Sequence, residues 1–155
     1  MPLRSILYTI VFASLLGAIV TKPSLAFSAP ARACSDASYD AMLQRADEAT
    51  TRNDKREAAR IFADAAQARL RCARQVRGDE RASLIDDFAG SIENAAASAV
   101  GAADYTNACR LAHEEVEVLQ DQLRRRDMTS LWQRTLKSRL SGTYLYLSAC
   151  KMRRG

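Results

Sequence analysis

The sequence predicts an all-α fold of about five antiparallel helices, arranged as a helical repeat or a bundle, after an N-terminal signal peptide. Apolar residues recur every three to four positions along residues 34–155, which is the period of amphipathic helices. The chain contains only three prolines, and 6% of its residues are aromatic. The runs of β-branched and aromatic residues that favour long strands are missing. The fold is therefore expected to contain helices and no large sheet.

The N-terminal segment has the pattern of a secretory signal peptide. A basic residue, Arg4, precedes a 15-residue apolar run, and the small residues around Ala26 fit a cleavage site. As a helix this run spans about 22 Å, which is shorter than the roughly 30 Å hydrocarbon core of a bilayer. Removal is therefore favoured over retention as a membrane anchor, with cleavage after residue 26 or at sites up to residue 33. We expect a single all-α domain over residues 34–155, periplasmic or secreted.

The first two predicted helices form a hairpin around a turn at Asn53. The first helix begins near Ser35 or Asp36, either of which can cap it, and ends within residues 50–53. The second begins after Asp54, which has a capping-box spacing to a glutamate three positions later. The first apolar stripe consists of Tyr39, Met42 or Leu43, Ala46 and Ala49, and the second consists of Ala58, Ile61, Phe62, Ala65, Ala68, Cys72 and Val76.

The third and fourth helices are predicted in the same way. Gly78 indicates the end of the second helix, and Asp79 is positioned to cap the third. Gly90 lies inside the third helix, where it costs about 1 kcal/mol and indicates close packing or a bend. Asp104 caps the fourth helix. The third stripe consists of Leu84, Ile85, Phe88, Ile92, Ala95, Ala96, Ala99, Val100 and Ala103, and the fourth consists of Tyr105, Cys109, Ala112, Val116, Leu119 and Leu123.

The fifth helix begins near a turn signal at residues 127–129. Gly142 and the mixed residues that follow it weaken the helical pattern, but the apolar spacing is still that of a helix. Its stripe consists of Leu131, Trp132, Leu136, Leu140, Tyr144 and Leu147. The short connections between the five helices make each one antiparallel to the next.

Four cysteines in an exported chain are typical of a disulfide framework. Cys34 and Cys72 are equidistant from the turn at Asn53, and Cys109 and Cys150 are almost equidistant from the turn signal at residues 127–129. Positions equidistant from the turn of a helical hairpin lie level with each other. The spacing therefore predicts the disulfides Cys34–Cys72 and Cys109–Cys150, with free buried cysteines as the alternative. Because no C-x-x-C pair is present, a zinc cluster, a thioredoxin-like motif and haem attachment are disfavoured.

Part of this pattern resembles the tetratricopeptide repeat. In the second helix, Ala58, Phe62 and Ala65 have the spacing of the small, aromatic and alanine positions that hold the paired helices of that family together. Ala46 falls at the small position of the first helix, and a second copy of the pattern has its alanine at Ala108, 50 residues after Ala58.

This resemblance departs from the family pattern in several positions. The repeat spacing of 50 residues exceeds the 34 of the family, and no proline closes either copy. Ala112 and Glu115 replace the aromatic residue and the alanine of the second copy, and Arg45 stands where a leucine is expected. The resemblance covers residues 42–70 and, less well, residues 92–119. It implies a protein-binding helical solenoid capped by the fifth helix; otherwise the helices form a plain antiparallel bundle.

Charge is distributed unevenly along the chain. Residues 35–123 contain 11 basic and 17 acidic residues, whereas residues 124–155 contain nine basic residues and a single acid, Asp127. The basic residues of this second part are Arg124, Arg125, Arg126, Arg134, Lys137, Arg139, Lys151, Arg153 and Arg154. Such asymmetry can hold a protein on an anionic surface, although the same residues also fit a solvated face that pairs with the acidic third and fourth helices.

The sequence contains no pattern that predicts catalysis. His113 is the only histidine, and although Glu117 lies one helical turn away, the second histidine of a zinc-protease helix is missing. Asp86, Asp87 and Glu93 are close in sequence, but no feature predicts the cleft that paired carboxylates need. Glycine-rich phosphate loops and nucleophile elbows are also missing. We therefore predict no enzyme activity, no metal and no cofactor.

These observations predict an exported, disulfide-stapled helical module that binds another protein, either of the cell envelope or secreted. The alternative is a protein that binds anionic envelope surfaces, such as lipopolysaccharide or phospholipid headgroups, through the basic C-terminal helix. A metal-dependent enzyme is the third alternative. Nucleic acid is disfavoured, because aromatic residues interleaved with the arginines for base stacking are missing.

Overall fold

The computed structural model describes residues 34–152 and has five α-helices in that range. They are α1 (Asp36–Thr51), α2 (Lys55–Ala73), α3 (Gly78–Gly101), α4 (Tyr105–Arg125) and α5 (Ser130–Met152). The all-α prediction is confirmed, and these residues contain no β-strand. No helix of this part of the chain combines the length and hydropathy needed to span a bilayer. The predicted signal peptide lies outside the described residues.

Side-chain caps begin three of the helices at predicted positions. Ser35, Asp54 and Asp104 each accept a hydrogen bond from the backbone amide three positions later, at 3.2, 3.1 and 3.1 Å. Each bond satisfies an amide that the first turn of a helix leaves without a partner, which contributes about 1 kcal/mol.

The α1–α2 turn and the α3–α4 turn share one backbone geometry at an offset of 50 residues. Asn53 and Ala103 both adopt the left-handed conformation, with φ of 61° and 59°. The amides of Asp54 and Asp104 then donate to the carbonyl oxygen five positions earlier, at 2.9 and 2.8 Å. The prediction that Ala103 belongs to the third apolar stripe is wrong, because α3 ends at Gly101 and Ala103 forms the turn.

The second helix ends earlier than the sequence predicts. It ends at Ala73, so Val76 lies in the following loop instead of the apolar stripe. Arg81 of α3 folds back over this end, and its Nε donates to the Ala73 carbonyl oxygen at 3.0 Å while its Nη2 donates to the Val76 carbonyl oxygen. These bonds satisfy carbonyl groups that would otherwise have no partner at the end of α2.

The start of α3 is joined to the α4–α5 loop. Gly78 is the first residue of α3, and its φ of 61° suits a glycine. Its amide donates to the Asp127 carboxylate at 3.2 Å, and the Thr129 amide donates to the Asp79 carboxylate at 2.7 Å. The prediction that Asp79 caps α3 is therefore wrong, because its carboxylate binds the neighbouring loop.

The third helix lies at the centre of the fold. It packs most extensively against α2 and also contacts α4 and α5. Tyr39 connects α1 to α3, since its hydroxyl donates to the Asp87 carbonyl oxygen at 3.1 Å and lies 2.8 Å from the Ser91 hydroxyl. The largest fully buried apolar side chains are Phe88, Ile92, Leu111, Leu119 and Leu136. Alanines such as Ala46, Ala65 and Ala95 fill the space between them and let the helices approach closely.

Both predicted disulfides are confirmed. The Cα atoms of Cys34 and Cys72 are 5.5 Å apart, and those of Cys109 and Cys150 are 5.9 Å apart. The first bond ties the residues before α1 to the end of α2, and the second ties the start of α4 to the end of α5. A helical module with two internal disulfides is typical of an oxidising compartment outside the cytoplasm.

The fifth helix is continuous through Gly142, as predicted, but its buried face differs from the prediction. Leu131 and Tyr144 are exposed, at 61% and 42%, whereas Thr143 is buried. The Thr143 hydroxyl can be buried because it donates to the Arg139 carbonyl oxygen one turn earlier, at 3.0 Å. Within residues 34–152, α5 contacts only α3 and α4 extensively, so a narrow face is enough to dock it.

Candidate functional site

A groove of about 250 Å³ lies between α2 and α4, over the first turns of α3. Its floor is apolar and consists of Leu70, Ala73, Ile85 and Val118. Its rim is charged and consists of Arg74, Arg81, Glu117, Asp121 and Arg125. We call these residues, together with Gln122, the α2–α4 groove. A hydrogen bond from the Gln67 amide to Glu114 joins α2 to α4 nearer the middle of the two helices, so the groove lies between this bond and the helix C-termini.

Gln122 is the unusual residue of this groove. It contributes to the lining, its side chain is 2% exposed, and its Nε2 atom is buried without a hydrogen-bond acceptor. A buried polar group without a partner costs about 1–3 kcal/mol. At the matching position of the first hairpin, 50 residues earlier, stands Cys72, whose sulfur is bonded to Cys34. The amide is therefore a feature of the second hairpin alone, and the folded chain leaves its donor unsatisfied.

The rim of the groove on α4 is held by exposed ion pairs. Asp121 lies 2.9 Å from Arg125 Nη2 and 3.4 Å from Arg124 Nη2. The hydrogen bond from Arg125 holds the pKa of the Asp121 carboxyl below its usual range. This carboxylate is thus kept charged and is already neutralised by its own helix.

A second recess continues from the groove toward the loops. Arg77, Gly78, Arg81, Arg125 and Asp127 line it, so two of the groove arginines also belong to this recess. Arg81 is the least exposed of these arginines, at 13%, and its Nη1 lies 3.7 Å from the Asp127 carboxylate. The ends of α2 and α4 therefore bring arginines from two distant parts of the sequence together.

The predicted basic residues of the described part of the chain have different surroundings. Arg124 and Arg125 pair with Asp121, at the end of α4. Arg126 forms the left-handed turn after α4, and Arg134 and Lys137 are exposed on α5. The side chain of Lys151 and all of Arg153 and Arg154 lie outside the described residues. That these residues bind an anionic surface stays a prediction.

Arg139 points back into the protein. Its guanidinium binds Asp86 and lies 2.9 Å from the Glu93 carboxylate, and both of these acids belong to α3. The hydrogen bond that Arg139 donates to Asp86 raises the pKa of this arginine above its ordinary value. Gly90 lies between the two acids on the same face of α3, and a Cβ atom there would sit 3.7 Å from the guanidinium. Arg139 therefore docks α5 onto α3.

Glu115 is buried beside this ion-pair cluster, at 2% exposure, and its Oε1 atom has no hydrogen-bond partner. Burial raises the pKa of its carboxyl from 4.5 to about 7, and the neighbouring Glu93 adds to the rise. The nearby Thr143 side chain and the charge of Arg139 act in the opposite direction on this pKa. Glu115 of α4 thus places a carboxyl group with a raised pKa beside the contact between α3 and α5.

Arg69 of α2 is a second buried charge, at 4% exposure. Its Nη2 donates to Asp36 at 2.8 Å, and its guanidinium carbon lies 3.9 Å from the centre of the Tyr39 ring. Its Nε lies 3.2 Å from Asp87 as an ion pair without hydrogen-bond geometry. This network fixes the start of α1 against α2 and α3, and it faces away from the α2–α4 groove.

Of the residues weighed for catalysis, Asp86 and Glu93 come together at Arg139, which pairs with both. His113 and Glu117 are both exposed on α4. Within residues 34–152, no group of three or more histidine, cysteine, aspartate or glutamate side chains is arranged to hold a metal ion. Comparisons of the chain with family models, with curated proteins and with solved structures found no match.

Sequence reasoning missed the α2–α4 groove and the role of three residues in it. Gln122 lies on the buried side of α4, next to the predicted stripe residue Leu123, so helical spacing alone gave a signal for it. Arg74 and Arg81 are close to Arg125 only because the α2–α3 and α4–α5 loops lie side by side. A count of charges along the sequence cannot detect this cluster of arginines. A count of the charges at the shared end of the two predicted hairpins would have detected it.

Proposed function

We propose that this protein is a binding module that recognises an exposed segment of another protein, either of the cell envelope or secreted, through the α2–α4 groove. The observation that carries the proposal is the apolar floor of the groove, which is enclosed by a charged rim. An apolar side chain of a partner would bury this floor, and polar groups beside it would meet the rim.

The size of the groove favours one anchoring side chain over a whole small molecule. Pockets for drug-sized ligands usually measure about 300–1,000 Å³, and this groove holds about 250 Å³. Protein interfaces, in contrast, often gain most of their affinity from one or two anchors in small apolar pockets surrounded by a polar rim. Leu70, Ile85 and Val118 offer such a pocket, and the charged residues around them offer such a rim.

The scaffold around the groove is suited to binding without rearrangement. The Cys34–Cys72 disulfide holds the end of α2, which forms one wall. The Cys109–Cys150 disulfide holds the opposite end of α4, whose residues 117–125 form the other wall. A site that is already rigid before binding loses less conformational entropy when the partner arrives.

The repeated turn supports the interpretation of the two hairpins as related helical units. The left-handed residue, the aspartate cap and the backbone bond recur at the same offset as the alanine pattern that resembles the tetratricopeptide repeat. Paired helices of this kind commonly bind peptides in the grooves between units. In this proposal the groove between α2 and α4 is the junction of the two units.

An affinity capture with a blocked groove tests the proposal. The full chain, with both disulfides formed, is immobilised and exposed to envelope extract at low and high salt. Val118→Trp, which fills a half-buried position of the floor, is run in parallel with Leu145→Trp, which changes an exposed position of α5. We expect the wild type and Leu145→Trp to retain the same proteins at high salt, and Val118→Trp to lose them. Equal retention by Val118→Trp, with an unchanged circular dichroism spectrum, would rule the groove out.

Anionic envelope surfaces stay the second candidate partner. Arg126, Arg134 and Lys137 are exposed, and the described part of the chain gives them no ion pair. Phosphate contacts made by such residues weaken steeply with salt, whereas apolar burial does not. Sedimentation with vesicles that contain phosphatidylglycerol separates the two candidates, because Arg134→Glu with Lys137→Glu would abolish this binding and leave the protein capture intact.

A further inference from the structure

We infer that the segment bound in the α2–α4 groove carries acidic side chains next to its apolar anchor. This inference rests on the proposed function, because it names the chemistry of the partner for the same site. The apolar anchor lies over Leu70 and Val118, and the acidic side chains extend toward the ends of α2 and α4.

Four arginines converge at the end of the groove, and we call them the arginine end: Arg74, Arg77, Arg81 and Arg125. Arg81 and Arg125 line both the groove and the neighbouring recess, so the two spaces are continuous. Arg74 and Arg77 are exposed on either side of them. A chain that leaves the groove in this direction passes between guanidinium groups from α2, α3 and α4.

The acids at the arginine end are already engaged. Asp121 is paired with Arg124 and Arg125, and Asp127 accepts the Gly78 amide and approaches Arg81. Arg74 and Arg77 are left without an ion pair among the described residues. The free positive charge at this end therefore exceeds the free negative charge. An acidic partner complements it, whereas a basic partner would be repelled.

The helix ends do not cancel this preference. The C-termini of α2 and α4 both lie at the arginine end, and helix C-termini carry a partial negative charge that would repel an anion. Arg81 donates to the carbonyl oxygen of Ala73, the last residue of α2, and to that of Val76 in the following loop, so its positive charge offsets the partial charge of this helix end. The exposed acid of the rim, Glu117, lies about one turn before Asp121, nearer the middle of α4. The groove thus has a polarity, with the anion-binding end toward the loops.

Selection from a random peptide library tests the inference. Phage-displayed random heptapeptides are selected on the full oxidised chain, on Val118→Trp and on the double variant Arg74→Glu with Arg77→Glu. On the wild type we expect enrichment of peptides with an apolar residue followed or preceded by aspartate and glutamate. On the arginine variant we expect the acidic residues to disappear from the enriched peptides, with basic residues in their place.

The outcomes separate the inference from the function on which it rests. If the wild type enriches no peptides beyond those enriched by Val118→Trp, the groove does not bind protein segments and both fail. If it enriches apolar peptides with no acidic residues, and the arginine variant enriches the same ones, the proposed function stands and the inference is wrong. Enrichment of acidic peptides that Val118→Trp retains would also overturn it, because the acidic residues would then bind outside the groove.

A titration with one enriched heptapeptide gives the magnitude. Exposed charge pairs contribute modestly, so Arg74→Ala with Arg77→Ala should weaken binding about 3- to 10-fold at low salt and reduce its salt dependence. The matched control is Arg45→Ala with Arg56→Ala, which removes the same charge from exposed positions near the α1–α2 turn. An equal loss of affinity in the control would mean that net charge, and not the arginine end, attracts the peptide.

Discussion

Glu115 stands in α4 at the position that Ala65 occupies in α2, 50 residues earlier. Both follow the same turn and the same aspartate cap, and both are buried, at 2% and 0% exposure. Ala65 places no polar atom among its neighbours. Glu115 places a carboxyl group beside Thr143 of α5, the helix that follows the second hairpin as α3 follows the first. The two hairpins thus share a backbone pattern and differ in what they pack against.

Replacing Glu115 by glutamine should stabilise the protein at neutral pH and remove a pH dependence. The folded state raises the pKa of this carboxyl from 4.5 to about 7. Below pH 4.5 the group is neutral in both states, so it imposes no penalty. Between pH 4.5 and 7 it ionises in the unfolded state first, so stability falls as pH rises, and above pH 7 the penalty is constant.

The magnitude of this effect follows from the pKa difference. One pKa unit corresponds to about 1.4 kcal/mol, so the penalty above pH 7 is on the order of 3 kcal/mol. Urea unfolding of the wild type, Glu115→Gln and the exposed control Glu117→Gln between pH 4 and 8 measures it. We expect only Glu115→Gln to lose the fall in stability between pH 4.5 and 7. An unchanged pH profile in that variant would show that Glu115 is charged in the folded state.

Removing the Arg139 guanidinium should loosen α5. Arg139→Met keeps most of the side-chain volume but leaves Asp86 and Glu93 without their partner. Because the pair is only partly buried, we expect a loss of about 1–3 kcal/mol, between the values for exposed and buried pairs. Arg134→Met, at an exposed position of the same helix, is the control and should change stability by less than about 0.5 kcal/mol. Hydrogen exchange should be accelerated more in α5 than in α2 when the variant is compared with the wild type. Equal acceleration of exchange in all helices would contradict a local role of Arg139.

The two matching turns predict opposite effects of two substitutions. Ala103 is left-handed, which costs an alanine about 1–2 kcal/mol, so Ala103→Gly should stabilise the protein by about 1 kcal/mol. Asn53 has the same conformation and tolerates it better, so Asn53→Ala should destabilise the protein. Thermal unfolding measures both. The same direction of change for the two variants would mean that left-handed strain does not control these turns.

The sequence predicts the positions of the helices better than it predicts the contacts between segments that are far apart in the sequence. The caps at Asp54 and Asp104 and both disulfides follow from local spacing around a turn, so a linear pattern is sufficient to find them. Asp79 looks like an equally good cap, but the α4–α5 loop binds its carboxylate, and no local pattern contains that information. The buried face of α5 is missed for a related reason. Thr143 is buried where α5 packs beside Glu115 of α4, and no local pattern predicts that contact.

The candidate site is harder to predict than the fold, because its residues come from three helices. Part of the apolar floor could be predicted from the apolar stripes, since Ile85 belongs to the predicted stripe of the third helix. The proximity of Arg74 to Arg125 could not, because it depends on the side-by-side arrangement of two loops. That the Gln122 amide is buried without an acceptor among the described residues could not be predicted either, because it depends on the packing of the helices.

The two disulfides should contribute similar stability but protect different helices. They close loops with sequence separations of 38 and 41 residues, and in the chain-entropy model each contributes about 4 kcal/mol. Cys34→Ala with Cys72→Ala should release the start of α1, which Arg69 still holds through Asp36. Cys109→Ala with Cys150→Ala should release the end of α5, which lies at the edge of the fold.

Urea unfolding combined with hydrogen exchange tests this difference. We expect both double variants to lose about 2–4 kcal/mol, with local acceleration of exchange in α1 for the first and in the second half of α5 for the second. No cysteine lines the α2–α4 groove, so peptide binding should survive in each variant at temperatures where it is folded. If the loss of either bridge accelerated exchange equally in all five helices, the disulfides would stabilise the chain as one cooperative unit, and the separate anchoring of α1 and α5 would be wrong.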